Sequence, residues 1–147
     1  MMMLMLPKVS LILAGVLAIL NLWLGWRVGQ VRHSEKVSVG DGGNERVIRR
    51  MRAHANFAEN AWVVLALVLV IELSVGASVW LGVAAGIFVL ARVGHAFGMD
   101  GWGPGRSGGT GVTMALQLAL GLWAIAIPLT FHAPKADGSV ETVPAQG

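Results

Sequence analysis

The sequence of 147 residues contains no cysteine, no tyrosine and few charged residues. Without cysteine the chain can form no disulfide, zinc–thiolate site or iron–sulfur cluster, and it has no cysteine nucleophile of its own. Charged residues make up 13% of the chain and hydrophobic residues 55%. Because a soluble domain carries about 25% charged residues, a soluble globule with this composition would have too little polar surface to cover itself. That class is excluded.

Four long apolar stretches are separated by short polar ones, as in a protein that crosses the bilayer several times. Each has about 17–20 residues, and such a helix crosses roughly 30 Å of hydrocarbon. We therefore predict an all-α fold, an integral membrane bundle of four helices within residues 1–132. The polar remainder, 133–147, is expected to be a disordered tail. The predicted spans are about 9–26, 57–73, 75–91 and 112–131.

The first apolar stretch could belong to a membrane anchor or to a cleaved signal peptide. It is longer than the apolar region of a signal peptide, which has about 7–15 residues. No small-x-small cleavage site precedes Arg27. These two features favour the anchor.

The basic residues predict how the chain is oriented. Nine of the eleven lysines and arginines lie between the first and second stretches or between the third and fourth. Since cytoplasmic loops are enriched in Lys and Arg, both connections are expected in the cytoplasm and both termini on the far side. The same rule accounts for the net charge of +3, so we expect no nucleic-acid partner. The uncharged link 74–78 contains Gly76 and predicts a tight hairpin, and Asn44 followed by Glu45 predicts the start of the second helix.

Polar side chains follow one face of the second helix where it enters the membrane. Four residues spaced three, four and three apart share that face, and we call them the polar stripe: Arg49, Arg52, Asn56 and Glu59. Such a stripe could hold a zwitterion, with arginine for a carboxylate, glutamate for an ammonium and asparagine for a peptide group. Alternatively, the stripe could be a self-satisfying network of ion pairs and hydrogen bonds between helices. The spacing does not decide between the two.

Two further arginines lie on the same side of the membrane as the stripe. Arg92 ends the third span, one turn before His95, and Arg106 precedes the fourth span. Arginines at an interface are most often anchors that reach the headgroups. In a partly dry cleft, an arginine could instead stabilise an anion such as a thiolate.

Other polar features point to structure. The histidines lack metal-ligand spacing, so no metal site is predicted. Residues 103–108 fit the pattern G-x-G-x-x-G, but no strand precedes them, and we predict a flexible loop there. Asn21 and Gln117 lie within apolar spans and are predicted to join helices by hydrogen bonds.

The segment Arg52-Ala-His-Ala-Asn-Phe-Ala-Glu59 resembles the MAPEG family, the membrane-associated proteins in eicosanoid and glutathione metabolism, and especially its bacterial members. The shared motif is R-A-x-x-N-x-x-E at the entry to the second of four helices. Glu45-Arg46 upstream and Ala91-Arg92-Val-Gly-His95-Ala at the end of the third span also resemble the family. The resemblance covers about residues 8–131.

This resemblance implies a homotrimer in the inner membrane that binds glutathione between subunits, near the cytoplasmic face. The family's enzymes add glutathione to lipophilic electrophiles, reduce peroxides or isomerise prostaglandin-type substrates. The implied partners are membrane lipids and a lipophilic small-molecule substrate. By resemblance, Arg52, Asn56 and Glu59 take the glutathione-contacting positions, and Arg92 belongs to the same site. Arg106 takes the position of the arginine that helps to activate the thiol.

The sequence departs from the family's pattern directly after Glu59. The motif often continues Glu-Tyr-x-Pro, whereas here Asn60 follows, and tyrosines that help to bind glutathione in the enzymes are absent. Whether the protein is an enzyme is therefore left open. The alternative is a non-catalytic membrane protein that presents the same pocket to a lipid or a partner protein. A small transporter using Glu59 and Glu72 ranks last, because about 20 Å of helix separates the two carboxylates.

Overall fold

A computed structural model describes residues 6–130 of the chain. It contains four α-helices and, within those residues, no strand. Each helix is long and apolar enough to cross a membrane. The all-α, four-helix membrane fold is therefore confirmed, and the protein is a multi-pass membrane protein. The predicted tail at 133–147 and the last residue of the predicted fourth span, Phe131, lie outside the described residues. The helices are α1 Lys8–Ser34, α2 Glu45–Val75, α3 Val79–Met99 and α4 Gly103–Thr130.

Local signals set both ends of α2. The Asn44 side chain accepts hydrogen bonds from the backbone N–H of Arg46 at 3.0 Å and of Val47 at 3.3 Å. This confirms the predicted helix start, because an N-cap side chain satisfies N–H groups that have no partner inside the helix. At the other end, Gly76 adopts a φ of 85° and its N–H bonds to the Glu72 carbonyl at 2.8 Å. The predicted hairpin is confirmed.

The carboxylate of Glu72 joins the end of α2 to the beginning of α1. The first residue before α1 is Pro7, which supplies no side-chain cap. Glu72, only 3% exposed, accepts hydrogen bonds from the N–H of Val9 at 2.9 Å and the N–H of Ser10 at 2.8 Å. Glu72 therefore has a capping role, which removes one of the two carboxylates on which a transporter would depend.

Glycines let α3 and α4 approach each other closely. A Cβ atom on Gly109 would lie 2.6 Å from the Ala91 carbonyl oxygen and 2.7 Å from the His95 Cβ, and one on Gly98 would overlap the Arg106 backbone nitrogen. The prediction of a flexible loop at 103–108 is therefore wrong, because this segment forms the first turns of α4. Packing against α3 outweighs the low helix propensity of glycine.

The apolar core draws on all four helices, and the outer faces remain apolar. Large apolar side chains such as Leu22, Trp80, Leu90 and Leu129 are exposed, as expected for surfaces that contact lipid. The buried apolar residues include Leu13, Leu17, Phe57, Val64, Val68, Leu81, Phe88 and Leu120.

An acidic residue joins three helices where most of the arginines meet, at what we call the basic end of the bundle. Asp100, just after α3, forms ion pairs with Arg27 of α1 and Arg50 of α2. Arg50 also donates to the Arg27 carbonyl at 3.1 Å. The Arg27 guanidinium lies 4.8 Å from the Trp23 ring centroid and 5.3 Å from that of Phe97. These contacts fix the helix ends from which the polar stripe starts.

Candidate functional site

A cleft at the basic end, which we call the arginine cleft, brings together residues from α2, α3 and α4. Its volume is about 220 Å³. The first turns of α2 contribute part of the polar stripe, and the first turn of α4 contributes Arg106. Arg52 and Arg106, which are 54 positions apart in the sequence, thus line the same cleft. The lining residues are Glu45, Ile48, Arg49, Arg52, Gly98, Met99 and Arg106.

The charges in the arginine cleft are only partly compensated. Arg49 donates from Nε to the Glu45 carboxylate at 2.8 Å. The side chains of Arg52 and Arg106 are exposed, and neither has a hydrogen-bond or ion-pair partner among residues 6–130. Two guanidinium groups that share a cleft without acids of their own attract an anion with acceptor oxygens, such as a carboxylate, or a thiolate.

Asn56 and Arg92 meet behind the arginine cleft. Arg92 is 3% exposed and donates from Nη1 to Asn56 Oδ1 at 2.7 Å and from Nη2 to the Gly109 carbonyl at 2.5 Å. Its guanidinium carbon lies 5.7 Å from the centroid of the Phe88 ring. Arg92 therefore joins α2, α3 and α4 from inside the bundle, and it does not reach outward as an interfacial anchor would.

Glu59 is the member of the polar stripe nearest the membrane interior. Its side chain is exposed and has no hydrogen-bond or ion-pair partner in the part of the chain that the structure describes. Bonds within the chain therefore satisfy two members of the stripe, because Asn56 accepts from Arg92 and Arg49 pairs with Glu45. These bonds do not account for Arg52 and Glu59, which stand free on the α2 surface of the single chain.

Residues 10–126 match the family model of the MAPEG family, and this range contains every residue of the polar stripe and both further arginines. The chain belongs to the MAPEG family. No curated protein and no solved structure matches it. The match confirms the family inferred from the Arg52–Glu59 motif. It also covers most of the four helices of this MAPEG protein, so the fold and the site belong to the same matched region.

Amide side chains link the helices of this MAPEG protein within its apolar spans. Gln117 of α4 donates from Nε2 to Asn60 Oδ1 at 3.0 Å, and Asn60 in turn donates to the Asn56 carbonyl at 2.7 Å. The Asn21 Oδ1 lies 2.9 Å from His54 Nε2. The predicted structural roles of Asn21 and Gln117 are confirmed. Asn60, which stands where the family motif often has tyrosine, faces Gln117 of its own chain.

Sequence reasoning missed the acidic residue that organises the basic end of this MAPEG protein. Asp100 is the only acidic residue between the third and fourth spans. It is close in sequence to Arg92 and Arg106, yet it pairs with Arg27 and Arg50 of the preceding helices. Its position was a usable signal. It is the single carboxylate of a connection predicted to lie on the same side of the membrane as nine basic residues, and such a carboxylate attracts a guanidinium.

Proposed function

We propose that this MAPEG protein binds glutathione in the arginine cleft and along the polar stripe, and conjugates it to lipophilic electrophiles or uses it to reduce lipid-soluble peroxides. One observation carries the proposal: Arg52 and Arg106 line the same cleft, and neither has a partner in residues 6–130. Glutathione is a tripeptide thiol with two carboxylates and one ammonium group. A cleft with two free guanidinium groups suits the carboxylates and a thiolate.

The polar stripe matches a tripeptide in length and in charge order. Arg52 and Glu59 are seven residues apart, which is about 10 Å of helix rise. An extended tripeptide also spans about 10 Å. Arg52 would hold a carboxylate, Asn56 a peptide group and Glu59 the ammonium group. The exposed carboxylate of Glu59 gains most from this arrangement, since an unpaired charge at the edge of a membrane is costly.

The sulfur nucleophile has to come from the cosubstrate, because the chain has no cysteine. A free thiol has a pKa of about 8.5, and an adjacent guanidinium lowers it. We assign this role to Arg106. The thiol gives its proton to water, and the thiolate forms a C–S bond with the electrophile. The displaced electron pair leaves with the leaving group or moves to an oxygen that then takes up a proton. The electrophile reaches the thiolate from the bilayer.

The assembly and orientation are part of the same proposal. The protein would be a homotrimer in the inner membrane, with both basic connections in the cytoplasm and both termini on the far side. A site between subunits is supported by the exposure of Arg52 and Glu59 on the single chain. A neighbouring subunit would cover the stripe and exclude water from it, which strengthens each charge contact.

A second candidate is a non-catalytic membrane protein that binds a ligand in the same cleft. The specific observation in its favour is the bond between Asn60 and Gln117 at 3.0 Å. Asn60 uses both its Oδ1 and its Nδ2 for bonds within its own chain, and no tyrosine is present to add an aromatic wall. Ligand affinity without turnover of several electrophiles would favour this candidate.

Isothermal titration of the detergent-purified protein with glutathione tests the proposal. We expect binding, and a loss of affinity of about tenfold or more in Arg52→Ala, because a charge-assisted hydrogen bond is removed. Arg46→Ala is the matched control, since Arg46 is an exposed arginine of α2 that pairs with Glu35 and does not line the cleft. Its affinity should equal that of the wild type. Absence of binding at millimolar glutathione would remove glutathione from the proposal.

A further inference from the structure

We infer that Arg92 is a positioning residue that fixes the Asn56 amide so that Asn56 offers the ligand only hydrogen-bond donors. The polar stripe then selects a carbonyl or carboxylate oxygen at this point of the ligand. The inference rests on the proposed function, since it takes the ligand on the stripe to be glutathione.

The chemistry of the two side chains sets the direction of the amide. A carboxamide has one acceptor oxygen and one NH₂ group with two donors, whereas a guanidinium has donors only. Arg92 Nη1 donates to Asn56 Oδ1 at 2.7 Å. If the amide were flipped, its NH₂ group would face a buried cation and the bond would be replaced by repulsion. Asn56 Nδ2 therefore points away from Arg92, and no residue in 6–130 accepts from it.

Arg92 is itself held in place by two contacts besides the one with Asn56. Its Nη2 donates to the Gly109 carbonyl of α4 at 2.5 Å, its guanidinium faces the Phe88 ring, and the residue is 3% exposed. Arg92 is not among the residues that line the arginine cleft. Arg92 would therefore act on a bound ligand only indirectly. It would do so by holding Asn56 and the backbone at Gly109, which lies one turn after Arg106.

The order of groups along α2 then defines the class of ligand. Arg52 offers donors, Asn56 offers donors through Nδ2, and Glu59 offers acceptors. A matching ligand presents an anionic oxygen to Arg52, a carbonyl or carboxylate oxygen to Asn56 and an ammonium group to Glu59, over about 10 Å. A zwitterionic peptide thiol has this order, whereas a simple dicarboxylate thiol lacks the final ammonium group.

Asn56→Asp gives the sharpest test, because it keeps the shape of the side chain and keeps an acceptor for Arg92. It replaces the outward NH₂ group with an oxygen. We expect the apparent melting temperature to stay within about 2 °C of the wild type or to rise, since the new carboxylate would form an ion pair with Arg92. We expect the dissociation constant for glutathione, measured by isothermal titration, to increase about tenfold or more. Unchanged glutathione affinity in this variant would overturn the inference.

A pair of arginine variants separates positioning from general loosening of the bundle. Arg92→Met removes the group that orients Asn56. Arg27→Met is the matched control, because Arg27 is also a buried arginine at the basic end, 6% exposed, but contacts Asp100 and not Asn56. We expect Arg92→Met to weaken glutathione binding by about tenfold and Arg27→Met by less than about threefold, at comparable losses of melting temperature. Equal losses of affinity in the two variants would contradict a positioning role.

The ligand-free protein supplies a readout that does not depend on glutathione. The chain has four asparagines, so asparagine-selective nitrogen-15 labelling gives four side-chain NH₂ signals, and the one that disappears in Asn56→Asp is that of Asn56. We expect Arg92→Met to shift this signal and Arg27→Met to leave it unchanged. If the wild type does not bind glutathione, the proposed function fails, while this spectrum still decides whether Arg92 orients the Asn56 amide. An Asn56 signal that does not respond to Arg92→Met would overturn it.

Discussion

The Glu72 carboxylate accepts two hydrogen bonds from Ser10, one from the backbone N–H at 2.8 Å and one from the hydroxyl at 2.6 Å. A third comes from the N–H of Val9 at 2.9 Å. A residue near the end of α2 thus caps the first turn of α1, where four N–H groups lack partners inside the helix. In an apolar environment these donors cannot turn to water instead, so the cap depends on one side chain.

Glu72→Leu should therefore destabilise the protein strongly. The substitution leaves donors of Val9 and Ser10 without an acceptor, which costs about 2–4 kcal/mol for charge-assisted bonds in a buried place. Tryptophan fluorescence during thermal unfolding in detergent measures the effect. Glu45→Gln, which changes an exposed carboxylate in the first turn of α2, is the control and should cost less than about 1 kcal/mol. Equal melting temperatures of Glu72→Leu and the wild type would show that the cap is not needed.

Asp100→Asn should loosen the basic end. The substitution removes the carboxylate opposite the buried Arg27 guanidinium and one partner of Arg50. Removing one partner of a fully buried ion pair costs about 3–5 kcal/mol. Because the Asp100 side chain is 31% exposed and the aromatic rings still contact Arg27, we expect about 1–3 kcal/mol. Denaturation of the variant followed by tryptophan fluorescence tests this, and a cost no larger than that of Glu45→Gln would contradict it.

Two neighbouring glycines of α4 should respond in opposite directions to the same substitution. Gly109→Ala places a methyl group against the Ala91 carbonyl oxygen and His95, which forces α3 and α4 apart, whereas a Cβ atom on Gly108 meets nothing within 4 Å. Gly108→Ala should therefore stabilise the helix by about 0.5–1 kcal/mol. Gly109→Ala should lower the melting temperature by several degrees, since overpacking typically costs about 1–3 kcal/mol. Melting both variants side by side tests this, and a rise in both would mean that α3 and α4 do not approach closely at Gly109.

The number of helices and the start of α2 could be predicted because the signals are local. Long apolar runs set the spans, and Asn44 followed by Glu45 satisfies the needs of a helix start without help from distant residues. The pairing of Arg92 with Asn56 could not be predicted. Periodicity places Asn56 on one face of α2, but α3 is apolar almost all round, so its rotation about its own axis leaves little trace in the sequence.

The position of Arg106 could not be predicted either. The segment 103–108 contains three glycines and a proline, a composition typical of loops. It becomes helical with Gly105 closely packed against the Gly94 carbonyl of α3, and that contact depends on the fold as a whole. The members of the candidate site were thus named from the sequence, while the arrangement of Arg106 beside Arg52 depended on packing between α3 and α4.

Arg106→Ala should lower turnover far more than it lowers the affinity for glutathione. If Arg106 stabilises the thiolate in the arginine cleft, its removal raises the pKa of the bound thiol towards the value of about 8.5 for a free thiol. At pH 7 less thiolate is then present, by about tenfold for each unit of pKa. Turnover of the variant should recover as the pH rises towards 9, whereas the wild type should reach its plateau at lower pH.

Initial rates with a chromogenic electrophile between pH 6 and 9 measure both curves. Arg46→Ala, which removes an exposed arginine that does not line the cleft, should keep the wild-type curve. Superimposable curves for Arg106→Ala and the wild type would remove Arg106 from the mechanism and leave Arg52 with Asn56 as a binding site alone.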